Sequence, residues 1–408
     1  MIRLCIMPFA AHSDLLFMVQ ESHNIAYHGV VAPNTYYFVN FGIMPTDTTL
    51  HYYLVAAWLW LIRPLVPSLD ALMSVPPSSV HVPMSPYFLS QLVSDPFLFR
   101  TLFLVKVPYL FFDLATGFLL LKTVYYRSSL IFKFWMVNPI VIYVSYVFGG
   151  YDIFPAFFAL LAIYFAQQNK HTSSYLTLGI AGALKLYAFL LLPVFLLAFP
   201  ASTLGRIKLA LVSVLPYVIS ILPDVISSGP TLLPFNAFSS YQSEYILNWQ
   251  VKLGSFDTLY VFVLLFSFLL LFQYYSRINV LGNLWRFAFA VLMLYFATSE
   301  FHPQYFLWVL PFLGVAICYD TRYLRLHILQ ILCYIVYTFY WGKPFAGMMF
   351  FPLGMFFTYL TSPIELMSMY FSAPLLIGVV RSVFSAICLW MIYLTFRTAH
   401  IDNLHSLS

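Results

Sequence analysis

The stretch from Phe97 to Leu121 reads FLFRTLFLVKVPYLFFDLATGFLLL and is apolar over almost its whole length. A helix needs about 20 such residues to cross the hydrocarbon core of a bilayer. Similar runs recur at Phe256–Gln273, Phe287–Thr298 with its flanks, and Phe371–Phe396. They lack the alternation of a barrel strand, and only helices or closed barrels span membranes. The sequence therefore predicts an all-α, polytopic membrane protein with about 11–13 transmembrane helices.

The composition also favours a surface that faces lipid. Of the 408 residues, 62% are hydrophobic and only 8% are charged, and the mean hydropathy is +0.87. So few charged side chains cannot cover a surface that faces water. The net charge of +5 is small and is spread over short loops, so no nucleic-acid partner is expected. The four cysteines lie in apolar runs and predict neither a disulfide framework nor a metal site.

Polarity divides the chain into six segments. The N-terminal run MIRLCIMPFAAH is too short to span, so it is either a partial helix or the end of a helix that starts upstream. The next segment, rich in His, Asn and Tyr, predicts an external loop with interfacial helices. The segments are 1–12, a residual first transmembrane helix; 13–49, the external loop; 50–223, a transmembrane module; 224–255, a second external loop; 256–400, C-terminal transmembrane helices; and 401–408, a tail.

The first full span is predicted at Leu50–Leu65, and the Pro- and Ser-rich stretch Val66–Asp95 is predicted to be a loop. Further spans are predicted near 97–121, 132–149, 152–167, 174–199, 208–223, 256–274, 284–298, 304–319, 326–341, 345–361 and 371–396.

Loop charge predicts the orientation of these spans, because loops rich in Lys and Arg stay in the cytoplasm. Basic residues occupy every second loop, at Arg206, Lys208, Arg277, Arg286, Arg322 and Arg325. The loops between them carry Asp224, Glu244, Asp257 and Glu300. Asp14 then lies outside, on the same side as Glu300 and His302. One conflicting loop would also lie outside, with Lys122, Arg127 and Lys133. This conflict indicates either a half-length segment between residues 133 and 200 or a span count that is off by one.

Charged side chains within the predicted spans each cost at least about 2.5–3.5 kcal/mol and so need a reason. Lys106 and Asp113 are seven residues apart, which would put them on one helix face where they hold neighbouring helices together. Asp152 follows two glycines at the end of a span, where a carboxylate can cap the next helix. We expect a structural role for these three residues, with substrate contact as the alternative.

Residues at three other places suit either a catalytic or binding role or a structural one. Lys185 lies in the middle of GALKLYAFLLLP with no acid within two helical turns, so its partner comes from elsewhere, and a phosphate is a natural one. Asp14, in HSDLLFMVQ, lies where an apolar run gives way to a polar loop. It can act there as a base, or it is a helix N-cap or a surface acid. The stretch SEFHPQY places an acid, an imidazole and an amide at a helix mouth: Glu300, His302 and Gln304.

Taken together, four stretches resemble the GT-C superfamily of multi-span glycosyltransferases. They are KVPYLFFDLATGFLLLK, FWMVNPIVIYVSYVFGGYDIFPAFFALLAIYF, GIAGALKLYAFLLLPVFLL and HPQYFLWVLPFL. The chain looks closest to mannosyltransferases of the GPI mannosyltransferase I type and their prokaryotic relatives, over most of residues 10–320. The most specific parts are Asn138-Pro139, Gly150-Tyr151-Asp152, the Lys185 segment before Pro193, and His302-Pro303-Gln304-Tyr305.

The resemblance implies that Asp14 is an essential acid in the first external loop and acts as a general base. In the two-acid form of that motif the second acid would stand where this chain has Leu16, and the aromatic-Pro-Pro stretch is reduced to Asn40-Phe41-Gly42 with Pro45. A lone carboxylate is a poor site for a hard cation, so no cofactor is expected and dependence on a divalent metal stays open.

The implied donor is a polyprenyl- or dolichyl-phosphate sugar such as the mannose form, and the implied acceptor is a lipid-linked or membrane-proximal glycan, glycolipid or protein. The sugar would be transferred with inversion. His302 and Gln304 would bind the donor phosphate or substrate, with Lys185 and Glu300 as weaker candidates, and Tyr305 would have a structural or substrate role. The active site would face the non-cytoplasmic side of the plasma membrane in a prokaryote or of the endoplasmic reticulum in a eukaryote.

Two other classes of protein remain as alternatives. Scattered charges and broken helices also serve the substrate sites of secondary transporters and flippases, although the two matching halves typical of many transporters are not visible in this sequence. The other alternative is a non-catalytic GT-C homologue.

Overall fold

The computed structural model describes residues 1–42, 48–74, 85–124, 128–228, 245–254, 257–276 and 281–405. The described chain is almost entirely helical. Its first α-helices are α1 (Ile2–Ile6), α2 (Ser13–His28), α3 (Pro33–Phe41), α4 (Leu50–Ile62), α5 (Leu69–Met73), α6 (Pro86–Ser94), α7 (Leu98–Val105), α8 (Val107–Thr123), α9 (Ser128–Val137), α10 (Pro139–Ile142), α11 (Ile153–Gln167), α12 (His171–Leu184), α13 (Leu192–Ala198) and α14 (Thr203–Ser228).

The second part of the chain begins with a small hairpin. Its antiparallel strands are β1 (Gln250–Lys252) and β2 (Thr258–Tyr260). The remaining α-helices are α15 (Val261–Tyr275), α16 (Leu284–Thr298), α17 (Leu310–Tyr319), α18 (Arg322–Tyr340), α19 (Phe356–Tyr359), α20 (Pro363–Ser368) and α21 (Ala373–His405). Short 3₁₀ or π segments cover Arg63–Leu65, Tyr143–Phe148, Leu186–Leu191, Pro303–Val309, Lys343–Phe345 and Gly347–Leu353.

Few helices are long enough to cross a bilayer. In the described residues three segments are both long and apolar enough: Leu98–Thr123, Thr203–Ser228 and Ala373–Arg397. A fourth is possible if the pair Ser129–Val137 and Pro139–Phe148, bent by 46°, forms one span. The expected 11–13 full-length spans are therefore not present in this part of the chain. Helices such as α16, with 15 residues, extend about 22 Å, which is less than the roughly 30 Å of a hydrocarbon core.

The centre of the molecule is the stretch from α16 to α17. All 15 residues of α16 are buried, and so are all seven of the 3₁₀ segment Pro303–Val309. A helix that is apolar on every side belongs inside a protein. By contrast, α14, α15 and α21 expose many large apolar side chains, among them Leu211, Phe268 and Leu375. The apolar surface therefore lies on the outer helices, as expected for contact with lipid.

The helix that was expected to run through Phe97–Leu121 breaks at Lys106. Pro108 lacks an amide hydrogen and its ring displaces the carbonyl four residues earlier. That carbonyl, of Leu104, accepts a hydrogen bond of 2.8 Å from the indole of Trp58 instead. Lys106 ends α7 and Asp113 lies within α8, yet both side chains bind Tyr146, Lys106 at its carbonyl and Asp113 at its hydroxyl. A turn at Lys106 thus interrupts the hydrogen-bonding pattern within the segment Leu98–Thr123, but the two side chains still bind the same neighbouring part of the protein.

Two other predictions about organisation change, and a third is consistent with the structure. A span at Leu50–Leu65 would place α2 and α5 on opposite sides of the membrane. In the structure the imidazole of His23, in α2, bonds to Asp70, in α5, so the two helices are in contact. With 13 residues, α4 is also too short to cross. Residues 345–361 form short 3₁₀ turns and the four-residue α19 rather than a span. The half-length segment expected between residues 133 and 200 is consistent with the bent pair and with a second break at Lys185.

Pro45, Arg127, Glu244 and Arg277, on which part of the sequence analysis depends, lie outside the described residues.

Candidate functional site

The site begins where the chain enters α2. Gly149 follows the π segment with a φ of 82°, and a Cβ there would lie 2.8 Å from Leu15 Cδ2. Only glycine permits both this left-handed backbone and the close approach of α2. The approach lets the His12 ring stack on Phe148 with centroids 3.9 Å apart, while the His12 amide donates to the Phe148 carbonyl. Gly149 thus allows the start of α2 to pack against the end of the π segment Tyr143–Phe148.

His12, rather than Asp14, caps α2. The Asp14 amide donates to His12 Nδ1 at 3.1 Å, so the expectation that Asp14 is an N-cap is wrong. Because Nδ1 accepts this bond, the neutral imidazole carries its proton on Nε2. Nε2 is buried and has no hydrogen-bond partner. The Asp14 carboxylate therefore does not cap the helix and lies in its first turn, with Oδ1 3.2 Å from His12 Nδ1.

The Asp14 carboxylate is half exposed, with 50% of its side chain accessible. Burial of the carboxyl raises its pKa, but His12, together with His302 and Lys185, outweighs this effect and lowers the pKa to about 2. The amide of Gln304 donates to Asp14 Oδ2 across 3.4 Å, a long bond. Asp14 is therefore ionised at neutral pH and lies near the Lys185 cation and the hydrogen-bonding groups of His12 and Gln304.

His302 and Gln304 come from the turn between α16 and the 3₁₀ segment. Pro303 fits the first position of that segment because its amide would be unpaired there. The hydroxyls of Tyr334 and Tyr337 donate to the carbonyls of Pro303 and Phe301, at 3.0 Å each, and hold the turn in place. Burial lowers the pKa of His302 to about 4, although Asp14 acts to raise it. Hence His302 is neutral at physiological pH.

Lys185 and Asp152 form a buried ion pair. α12 ends at Leu184, and Lys185 adopts an extended backbone that turns its side chain toward Asp152, with Nζ 2.9 Å from Oδ1. The freed Leu184 carbonyl accepts a bond of 2.7 Å from Thr48. The acid partner that Lys185 lacks in sequence is thus supplied from 33 residues away.

One further expectation about this pair needs correction, and Lys185 has additional neighbours. Asp152 makes no capping bond to α11. Its Oδ1 instead accepts bonds from the Lys185 ammonium and, at 2.6 Å, from the Trp308 indole. The Lys185 ammonium also lies 4.5 Å from the ring centres of both Tyr151 and Tyr305. A partly desolvated cation in such an aromatic setting is stabilised without any phosphate.

The predicted site residues divide into two groups. Asp14, His302, Gln304, Lys185, Asp152 and Tyr305 converge, and the charges of Asp14, His302 and Lys185 influence one another. Glu300 lies apart, accepting a bond of 3.4 Å from Asn248 and lining a cavity of about 1040 Å³ with Arg381. Lys106 and Asp113 also lie apart, in a separate buried network. Lys106 donates to the carbonyls of Met7, Ala10 and Tyr146.

Sequence reasoning missed four members of the site. They are His12, Tyr151, Trp308 and His51. His51 is fully buried, stacks on Tyr151 at 4.0 Å, and has no partner for either ring nitrogen. His12, Tyr151 and Trp308 are close in sequence to residues that the sequence analysis did single out: Asp14, Asp152 and Tyr305. This closeness could have identified them. For His51 no sequence signal exists, because only the fold brings α4 beside Lys185.

The group contains several buried polar atoms that have no partner within the part of the protein that the structure describes. In the described residues His12 Nε2, His302 Nδ1, Gln304 Oε1 and both nitrogens of His51 are buried and unbonded. Buried polar atoms in native proteins are nearly always paired, so such a cluster needs an explanation. Ordered water or a polar ligand would pair with these atoms. A hard cation fits poorly, since of the two carboxylates Asp152 is already occupied by Lys185.

Comparison with known proteins adds no family assignment. No protein family matches the chain, and no curated protein and no solved structure is significantly similar to it.

Proposed function

We propose that this chain is a membrane glycosyltransferase of the mannosyltransferase type. It would move a hexose from a polyprenyl- or dolichyl-phosphate sugar to a lipid-linked or membrane-proximal acceptor. The observation that carries the proposal is the meeting of the half-exposed Asp14 with Gln304 and His302, which come from a helix mouth 290 residues away in sequence. An accessible carboxylate beside unpartnered hydrogen-bonding groups and a lysine suits a reaction that needs both a base and a site for an anion.

In the proposed reaction the acceptor hydroxyl donates a hydrogen bond to Asp14. As the acceptor oxygen forms its bond to the anomeric carbon, the proton passes to the carboxylate. The bond between that carbon and the phosphate oxygen breaks, and the lipid phosphate leaves with the electron pair. Attack occurs from the face opposite the phosphate, so the configuration inverts, through a transition state with oxocarbenium character.

The low pKa of Asp14 limits its strength as a base in the free protein. The donor phosphate changes this, because a nearby negative charge favours the protonated form of a carboxylate. Binding of the donor would therefore raise the pKa of Asp14 toward the range of an effective base. The base would gain its proton affinity only once the donor is in place, which protects the donor sugar from reaction with water.

The departing phosphate needs hydrogen-bond donors and positive charge. His12 Nε2 is a buried donor without a partner, and the Gln304 amide nitrogen already reaches Asp14. Lys185 contributes charge from a position fixed by Asp152. We assign the phosphate to these groups and the acceptor hydroxyl to Asp14. The reaction would take place on the non-cytoplasmic side of the plasma membrane in a prokaryote or of the endoplasmic reticulum in a eukaryote.

The test uses membranes that contain the protein, radiolabelled polyprenyl-phosphate mannose and a panel of lipid and glycan acceptors. Asp14→Asn keeps the shape of the side chain but removes the base, so we expect a loss of about 10²–10⁴-fold in transfer. The matched control is Asp257→Asn, at an exposed acid near β2, which should transfer at the wild-type rate. Full transfer by Asp14→Asn, at equal amounts of folded protein, would refute the assignment.

A transporter or flippase is the second candidate function. The buried pair of Lys185 and Asp152 lies at the broken end of α12, and charged groups at interrupted helices serve the substrate sites of such proteins. The same membranes distinguish the two functions. A transporter or flippase would move labelled donor across sealed vesicles while the sugar–phosphate bond stays intact, whereas the enzyme produces labelled acceptor and free lipid phosphate.

A further inference from the structure

A second cluster of polar side chains lies at the opposite end of α2. His23 and His28 come from the last two turns of that helix, and Asp70 comes from α5. Their ligand atoms all lie within 4.8 Å of one another. In the described residues this is the one group of three or more His, Cys, Asp or Glu side chains close enough to share a metal ion. It is nine residues, or about 13 Å of helix, from Asp14.

The distances in the cluster suit a tetrahedral metal. Asp70 Oδ1 is 2.9 Å from His23 Nε2 and 3.5 Å from His28 Nε2. Ligands that surround a zinc ion at 2.0–2.1 Å are separated by about 3.3 Å when the geometry is tetrahedral. Small side-chain rotations would thus bring the three atoms to a common centre. The two histidine rings are already only 5.0 Å apart.

Burial and access also suit a bound ion. His23 is completely buried, whereas the side chains of His28 and Asp70 are 47% and 46% exposed. One ligand is therefore held rigidly by the fold, and the other two leave a path for the ion and for a water as fourth ligand. Two imidazoles and one carboxylate select zinc and similar late first-row ions over Mg²⁺ and Ca²⁺, which prefer oxygen ligands.

We propose that His23, His28 and Asp70 form a binding site for Zn²⁺ that fastens the end of α2 to α5. The ion would not contact the groups around Asp14, since the length of α2 separates the two sites. Its effect would be to fix the position of the helix that carries Asp14. This inference does not depend on the proposed transfer reaction, and its test does not use that reaction.

The experiment measures zinc binding to the full-length protein, purified in detergent and stripped with a chelator. Zn²⁺ is titrated in competition with a chromophoric indicator, and Co²⁺ serves as a spectroscopic substitute. We expect one Zn²⁺ per chain, a visible spectrum typical of tetrahedral Co²⁺, and a higher melting temperature with zinc than with Mg²⁺. Failure of the wild-type protein to bind Zn²⁺ at micromolar concentration would overturn the proposal.

Three variants assign the site to these residues. His28→Ala removes a half-exposed ligand and should fold normally, and Asp70→Asn keeps a hydrogen-bonding group of the same shape. Each should weaken zinc binding by at least about tenfold, and the zinc-dependent rise in melting temperature should disappear. The matched control is His171→Ala, at an exposed histidine that starts α12. Equal zinc affinity in His28→Ala and His171→Ala would show that the cluster is only a set of hydrogen bonds.

Discussion

Two buried polar regions lie near each other in this molecule, and they differ in how completely their atoms are paired. In the first, Asp113 accepts bonds from Arg3, from the Trp135 indole and from the Tyr146 hydroxyl. Nearby, the Lys106 ammonium is surrounded by three backbone carbonyls. In the second, around Asp14, several donors and acceptors are buried without partners. We call these the saturated network and the open cluster.

The proposed binding of a substrate at the open cluster depends on this difference. A buried charge whose partners are all supplied by the protein has no capacity left for a ligand, and its purpose is to hold helices together. A cluster that leaves buried atoms unpaired carries a free-energy cost that a ligand can remove. Charge alone does not distinguish them, because both contain a lysine and an aspartate. The number of unused hydrogen-bonding positions does.

The largest expected effect is on stability, from breaking the saturated network. Asp113→Ala leaves the Arg3 guanidinium buried without its carboxylate, which should cost about 3–5 kcal/mol. We expect a much lower melting temperature and a low yield of folded protein. The matched control is Asp320→Ala, which breaks a pair with the half-exposed Arg322 and a bond from the Arg322 amide, and should cost about 1–2 kcal/mol. Equal melting temperatures for the two variants would mean that the network is not structural.

A smaller effect, on substrate binding, is expected from the open cluster. Lys185→Met removes a charge near Asp14, and we expect the apparent KM for the polyprenyl-phosphate donor to rise about tenfold, or roughly 1.4 kcal/mol. The exposed Lys170 gives the control, since Lys170→Met should leave this KM unchanged.

Loss of Lys185 also leaves Asp152 buried without its cation, so a second variant is needed to separate binding from packing. In Lys185→Met with Asp152→Asn the buried charge is gone, and the protein should regain stability while the donor KM stays high. If the double variant restores the wild-type KM, the pair is structural and belongs with the saturated network.

The sequence predicted single long helices well and broken ones poorly. The expected spans at 208–223 and 371–396 lie largely within α14 and α21, and the expected span at 284–298 has the bounds of α16, although α16 is too short to cross. Apolar periodicity and length are sufficient for such helices. The breaks at Lys106 and Lys185 were not predicted, because an apolar run does not show where a buried lysine will find its partners. Those partners come from Met7, Ala10 and Tyr146 in one case and from Asp152 in the other.

The candidate site was predicted in part for the same reason. Asp14 and the HPQY turn were identified by their place at the edges of apolar runs, and the structure brings them together. The hydrogen-bond partners were not identified, since pairing depends on contacts between distant segments. Asp152 and His51 illustrate the point: the first bonds to Lys185 rather than to its own helix, and the second reaches the cluster only through the packing of α4.

The smallest expected effect is the pH dependence that the open cluster gives to stability. The pKa of His302 is lowered to about 4 by burial, against about 6.5 in an unfolded chain. The unfolded state therefore binds a proton first, so stability present above pH 6.5 is lost as the pH falls toward 4. Asp14, with a pKa lowered to about 2, contributes stability that is lost only as the pH falls from about 4 through 2.

Melting temperatures of the wild type, His302→Gln and Asp14→Asn between pH 4 and 7 test this order. His23 is also a buried histidine with a lowered pKa, so the wild type should lose stability through more than one group, and the informative quantity is the difference between proteins. The slope of melting temperature against pH should be smaller for His302→Gln than for the wild type, because that variant has lost one titrating group. Asp14→Asn should keep the wild-type slope in this range. An unchanged slope in His302→Gln would contradict this expectation. It would mean that the His302 imidazole is solvated as in an unfolded chain. The open cluster would then have one fewer of the buried, unpaired groups that distinguish it from the saturated network.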